Sequence, residues 1–209
     1  MWKSKTGKPV LDHEISFWMF KGNYLELKGK ALVSAQIMHI KMDMKGEGED
    51  LNIDAVRAFY NFLMSAATLV DHYRVLVQSD KLNQEFKIEY DQKLQDTFHN
   101  DILAICVKKL RNFTTHKSLP ACLVSPGDSV FNNYKLYIDV TDLKDWDGWN
   151  RAEKEYLESL DDRADVLTLL DPYFTKAEIF YRWFMRRYCD LHPAEKSDLG
   201  LLYEKDLFS

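Results

Sequence analysis

Apolar residues recur every three or four positions along most of this chain, which is the spacing of amphipathic helices rather than strands. From about Leu11, the series Ile15, Trp18, Met19, Leu25, Leu32, Ala35, Ile37, Met38 and Ile40 predicts one long or broken helix with Gly22 and Gly29 as weak points inside it. Lys45 to Asp50 carries two glycines among charges and no apolar residue, so it reads as an exposed loop. Asn52 is placed to cap a second helix, whose stripe from Ile53 through Phe59, Leu63, Ala66, Val70 and Tyr73 to Val77 ends near Gln78. Ser79 to Asn83 breaks the pattern, and a more polar helix follows to about Gln95. Asp96 or Thr97 suits the cap of a central helix from about Phe98 to Thr115, which Leu119-Pro120 closes.

The period changes after Ala121. Pro126-Gly127-Asp128 is a turn signal, and Tyr134 to Val140 alternates in the manner of a short strand, so a small hairpin is expected over 121–140. Helical spacing then returns: Thr141 or Asp142 caps a short turn, a helix runs from about Asn150 to Leu160, and two more cover Asp162 to Leu170 and Pro172 to about Leu191. The pattern predicts an all-α fold, a helical bundle with a small β-hairpin insertion around 121–140. It forms one domain over residues 11–192, between a flexible N-terminal tail (1–10) and a C-terminal tail (193–209).

Composition agrees with that reading. Of 209 residues, 46% are hydrophobic, enough to fill one core, and only 8 glycines and 5 prolines are spread through the chain. Cys106, Cys122 and Cys189 are odd in number and lack CxxC spacing, which argues against a disulfide framework or a zinc site and for reduced thiols in the cytoplasm. No secretory signal or bilayer-spanning stretch is evident, so no membrane partner is expected. A net charge of -5 gives no global field for nucleic acid, and RNA binding would need a local basic patch. Glycine-rich phosphate loops and H-E-x-x-H zinc signatures are absent.

Such a patch lies at the end of the central helix. Arg111 supplies a guanidinium, Asn112 follows it, and His116 supplies an imidazole, the side-chain type suited to moving a proton. On a helical wheel Arg111, Thr115, Lys108, Asn112, His116 and Lys109 share one polar arc of about 160°, opposite Leu103, Cys106, Val107, Leu110 and Phe113. Lys108, Lys109 and Lys117 make the surroundings basic. Cations near a helix C-terminus also simply complement its exposed carbonyls. Arg187 and His192 repeat the spacing, but with Asp190 between them and bulky Tyr188 in the place of Asn112. His13, His39, His72 and His99 are isolated and read as structural, and the Trp146/Trp149 pair reads as a packing anchor. Arg182, Arg186 and Arg187 read as a solvated helix face.

The segment Arg111-Asn112-Phe113-Thr114-Thr115-His116, on a central helix of a helical chain of this size, resembles the motif of the HEPN superfamily. That resemblance implies a metal-independent endoribonuclease with no cofactor, acting on RNA as a homodimer in a toxin or phage-defence system, with a cognate antitoxin or inhibitor as a further partner. It also implies that Arg111 holds the scissile phosphate, that His116 is the general acid or base, and that Asn112 orients one of them. Lys108, Lys109, Thr115 and Lys117 are the expected substrate-binding groups. The alternative is a non-catalytic helical module for nucleotide binding or protein interaction.

Overall fold

The computed structural model describes residues 12–45, 50–51, 53–79, 82–126 and 134–192. The chain passes in order through α1 (Asp12–Lys45), β1 (Asp50–Leu51), α2 (Ile53–Gln78), α3 (Gln84–Leu94), a π-helical turn (Gln95–His99) and α4 (Ile102–His116). It continues through β2 (Cys122–Pro126), β3 (Tyr134–Asp139), α5 (Thr141–Lys144), α6 (Arg151–Glu158), β4 (Arg163–Asp165) and α7 (Val166–Leu191). The fold is mainly helical. Both expected tails, the loop at 46–49, Asn52 and the Gly127-Asp128 turn lie outside the described residues.

α1 runs unbroken through both glycines, and several of the apolar residues that mark its period face outward. Trp18, Met19, Leu25 and Leu32 are exposed, while Phe17, Phe20, Tyr24, Leu27 and Ala31 are buried. Both faces carry helical periodicity, so the choice falls to the partners available across the bundle. The inward face meets aromatic rings: Phe17 stacks on Tyr181 at 3.5 Å, Tyr24 on Phe174 at 3.7 Å, and Phe20 packs against Phe62 at 5.2 Å. Such ring pairs add to the area each residue buries. Tyr24 also donates its hydroxyl to Asp171 at 2.8 Å.

α3 begins where Asn83 accepts the Phe86 amide, at 2.8 Å. The expected start of the central helix is corrected: α3 runs on into the π-helical turn, Asp96 accepts from Gln92 at 2.9 Å, and the cap of α4 is Asp101, which accepts the Ala104 amide at 2.8 Å. Lys176 of α7 pairs with the same Asp101 carboxylate. Burial raises the Asp101 pKa, but the Lys176 and Ala104 hydrogen bonds outweigh it and hold the carboxyl below its usual range. A depressed folded-state pKa contributes stability above the unfolded value, about 3.9, and that stability is lost as pH falls through the folded one. Urea unfolding below about pH 4 should therefore show a shallower pH slope for Asp101→Asn than for the wild type.

The hairpin joins a larger sheet than expected. β2 and β3 pair antiparallel with Cys122 opposite Ile138, and β1 and β4 extend them to a four-stranded antiparallel sheet of order β1-β2-β3-β4. Cys122, Leu136 and Ile138 are buried, so the strands form part of the core. The first residues of the expected helix Asp162 to Leu170 are strand instead: Ala164 points inward between Arg163 and Asp165, and three residues are too few for a period to show. Asp165 ends the strand, caps α7 through the Leu167 amide at 2.9 Å, and pairs with Lys135 at 2.9 Å. α7 then continues through Pro172, where two helices were expected. Proline removes one helical donor, but Thr168 and Pro172 lie on the exposed side, where water can reach the released carbonyl.

Candidate functional site

α4 presents two sides, as its sequence pattern requires. Ala104, Cys106, Val107, Leu110, Phe113 and Thr114 are buried among α2, α6 and α7. Lys108, Thr115, His116 and Lys117 are exposed, while Arg111, Asn112 and Lys109 are half-buried. Arg111 Nη1 donates to Asn112 Oδ1 at 3.0 Å, which holds the two side chains together along the arc. The Thr114 and Thr115 hydroxyls both donate back to the Arg111 carbonyl, at 2.9 and 2.8 Å. Thr115 thus spends its proton within the helix, leaving its oxygen as an acceptor. The helix closes with the Lys117 and Ser118 amides on the Phe113 carbonyl, at 2.8 and 3.2 Å, so His116 is its last residue.

Five helical steps carry the chain from Arg111 to His116, about 7.5 Å of rise and about 140° of rotation. The guanidinium and imidazole therefore start from different parts of the arc, and Asn112, one turn before His116, sits between them.

Lys109 has a different task from the one expected of it. Its ammonium donates to the Gly148 carbonyl at 2.8 Å and to Glu153 Oε2 at 2.5 Å, and Glu153 is only 1% exposed. Glu153 also accepts from Asn150, at 2.7 Å from the backbone amide and 2.9 Å from the side chain, while Asn150 Oδ1 caps α6 through the Glu153 amide at 3.0 Å. Gly148 is required here because a Cβ would lie 2.3 Å from the Trp146 ring. Trp146 meets Phe113 and Trp149 edge-on at 5.6 and 5.0 Å, and Trp149 Nε1 donates to the Leu143 carbonyl at 2.6 Å. The tryptophan pair and Lys109 together anchor α4 to the segment before α6. The cations the arc offers to a ligand are Lys108 and Arg111, with Lys117 exposed just past the end of the helix.

The pair with the same spacing on α7 is occupied by folding contacts. Arg187 reaches Glu89 through Nε and Nη2 at 3.0 and 2.8 Å, and the His192 ring stacks on Tyr188 at 4.3 Å. Arg182 bonds Glu178 at 3.3 Å. His13 is buried beside the Tyr188 ring at 5.7 Å, and His72 shares a hydrogen bond with the Ser16 hydroxyl. Glu14 and Ser16 are buried next to them, a polar group at the start of α1 that periodicity does not reveal because it breaks the apolar stripe. Burial pushes the Cys106 and Cys122 thiols up to about 12, which leaves little nucleophilic thiolate at either. Among the described residues no group of three His, Cys, Asp or Glu could hold a metal ion, and no helix is long and apolar enough to cross a membrane.

Comparison with protein-family models, curated proteins and solved structures returns no match to this chain.

Proposed function

We propose that this protein is a metal-independent endoribonuclease of HEPN type, serving a toxin or phage-defence system in the cytoplasm and restrained there by a cognate antitoxin or inhibitor. The observation that supports this reading is the solvent-facing arc of α4, where Arg111 and Asn112 are joined and His116 is open, flanked by Lys108 and Lys117. In this reading a His116 imidazole takes the proton of the RNA 2′-hydroxyl, and the 2′-oxygen attacks the adjacent phosphorus. The bond from phosphorus to the 5′-oxygen breaks, and that oxygen takes a proton. The products are a 2′,3′-cyclic phosphate and a 5′-hydroxyl. Arg111 holds the non-bridging oxygens as charge develops on them. One copy carries one His116, so a homodimer would supply separate acid and base.

A second reading, a helical nucleotide-binding or protein-interaction module, draws on the divergence of Arg111 and His116 around one helix and on the existing bond from Arg111 to Asn112. Incubation of RNA with the purified protein in excess chelator separates the two. Cleavage to 2′,3′-cyclic ends is expected, and intact RNA at high protein concentration would leave only the binding module. RNA affinity should fall with salt, with a shallower slope in Lys108→Gln/Lys117→Gln; an unchanged slope would remove both lysines from the contact.

A further inference from the structure

We infer that Trp146 is a substrate-binding residue, whose half-buried indole receives the base of an unpaired RNA nucleotide with its phosphate on Arg111. The inference rests on the ribonuclease reading of α4 only in taking RNA as the ligand. The two tryptophans before α6 differ in what they have left to offer. Trp149 is 4% exposed and its Nε1 donates to the Leu143 carbonyl, so it is spent on the fold. Trp146 is only half-buried, and among the described residues its indole N–H forms no hydrogen bond and is not shut away from water. Its orientation is fixed. A Cβ on Gly148 would lie 2.3 to 2.5 Å from three consecutive atoms of the six-membered ring, which puts the glycine against a ring face, while Phe113 and Trp149 meet the indole edge-on at 5.6 and 5.0 Å. A ring held by three neighbours with its polar edge free binds a ligand at little cost in side-chain freedom.

Position ties this ring to the arc. Phe113 and His116 are three residues apart on α4 and so are neighbours on its surface, about 5–6 Å between Cβ atoms, and Trp146 packs on Phe113. The indole therefore borders the arc on the His116 side, away from the side on which Arg111 starts. The Arg111 guanidinium is drawn toward the middle by its bond to Asn112 at 3.0 Å. From Asn112 past His116 to Phe113 the helix turns about 100°, or about 10 Å of its surface, a distance that one nucleotide covers from phosphate to base. Charge runs the same way. Lys108 stands at the phosphate end beside Arg111, whereas Asp145 and Asp147, both exposed, flank Trp146. Carboxylates repel a phosphate and admit an uncharged base, so the strand lies with its backbone on the cations and a base turned to the tryptophan. A base inside a duplex has its faces covered by its neighbours, and the site therefore takes single-stranded RNA.

The probe is a short, end-labelled single-stranded oligoribonucleotide with 2′-O-methyl groups throughout, whose blocked oxygens cannot attack phosphorus, beside the same backbone with every base removed. Anisotropy titrations of the full chain should show Trp146→Leu losing about 10-fold in affinity for the base-bearing strand and nothing for the abasic one, with Trp146→Phe keeping most of the affinity because the ring is kept. Damage to packing lowers binding of both strands together, so the difference between them reports the base contact. A strand carrying 5-iodouridine, irradiated on the unaltered protein, reads the same contact without a variant and should crosslink to the peptide that holds Trp146. Equal losses on the two strands, no loss at all, or crosslinks only elsewhere would overturn the role of Trp146, whatever the cleavage assay gives. A base-dependent loss in a protein that leaves RNA intact in chelator would keep the Trp146 contact and remove the ribonuclease reading. An unaltered protein that binds neither strand would overturn both.

Discussion

Replacing Lys109 with methionine should lower the free energy of unfolding by about 3 kcal/mol, whereas Lys108→Met should change it by no more than about 0.5 kcal/mol. The two lysines are adjacent in sequence and equal in charge, but only Lys109 faces a carboxylate that water cannot reach. Glu153 has its remaining acceptor sites filled by Asn150, so losing Lys109 leaves a buried charge held by neutral donors alone. Methionine retains most of the aliphatic stem, and the loss is therefore electrostatic rather than a cavity. The lower end of the range for broken buried pairs applies because the Lys109 side chain is 26% exposed. Lys109→Met/Glu153→Gln should recover a substantial part of the loss, since glutamine keeps the bond to the Asn150 amide without a charge. Urea denaturation of the three variants measures this, and equal midpoints for Lys108→Met and Lys109→Met would show that the pair does not support the fold.

His116→Ala should reduce RNA cleavage by about 10²- to 10⁴-fold, the range for removal of a general acid or base, with the melting temperature nearly unchanged. The side chain is exposed at the last residue of α4, so its truncation leaves no cavity. Arg111→Lys should also lose activity although the charge is kept, because one ammonium cannot hold Asn112 and grip a phosphate with the fork that guanidinium provides. Arg187→Lys is the control: it disturbs the contact with Glu89 and should alter stability without altering cleavage. Gel assays of product ends beside thermal melts give both readouts. Cleavage that survives His116→Ala would sink the assigned role even if RNA is cut.

Much of the local structure was legible because it depends on neighbours within a turn or two. The bounds of α2, the start of α6 next to Asn150 and the two sides of α4 all follow from spacing. The arc itself belongs to this class, since residues on one helix share a face whatever surrounds them. Non-local choices were not legible in the same way. β4 is three residues long and exists because β3 offers it an edge, and the π-helical turn moved the cap from Asp96 or Thr97 to Asp101.

The amino-acid sequence by itself determined a mainly helical chain, the hairpin strands, and an α4 that carries Arg111, Asn112 and His116 opposite an apolar stripe. Periodicity specifies these because it is a property of each segment alone. Only the tertiary structure decided which of the two apolar faces of α1 is buried, and which lysine of an adjacent pair is left for a ligand. Both depend on groups distant in sequence: the rings of Phe174 and Tyr181 draw in Phe17 and Tyr24, and the buried carboxylate of Glu153 claims Lys109.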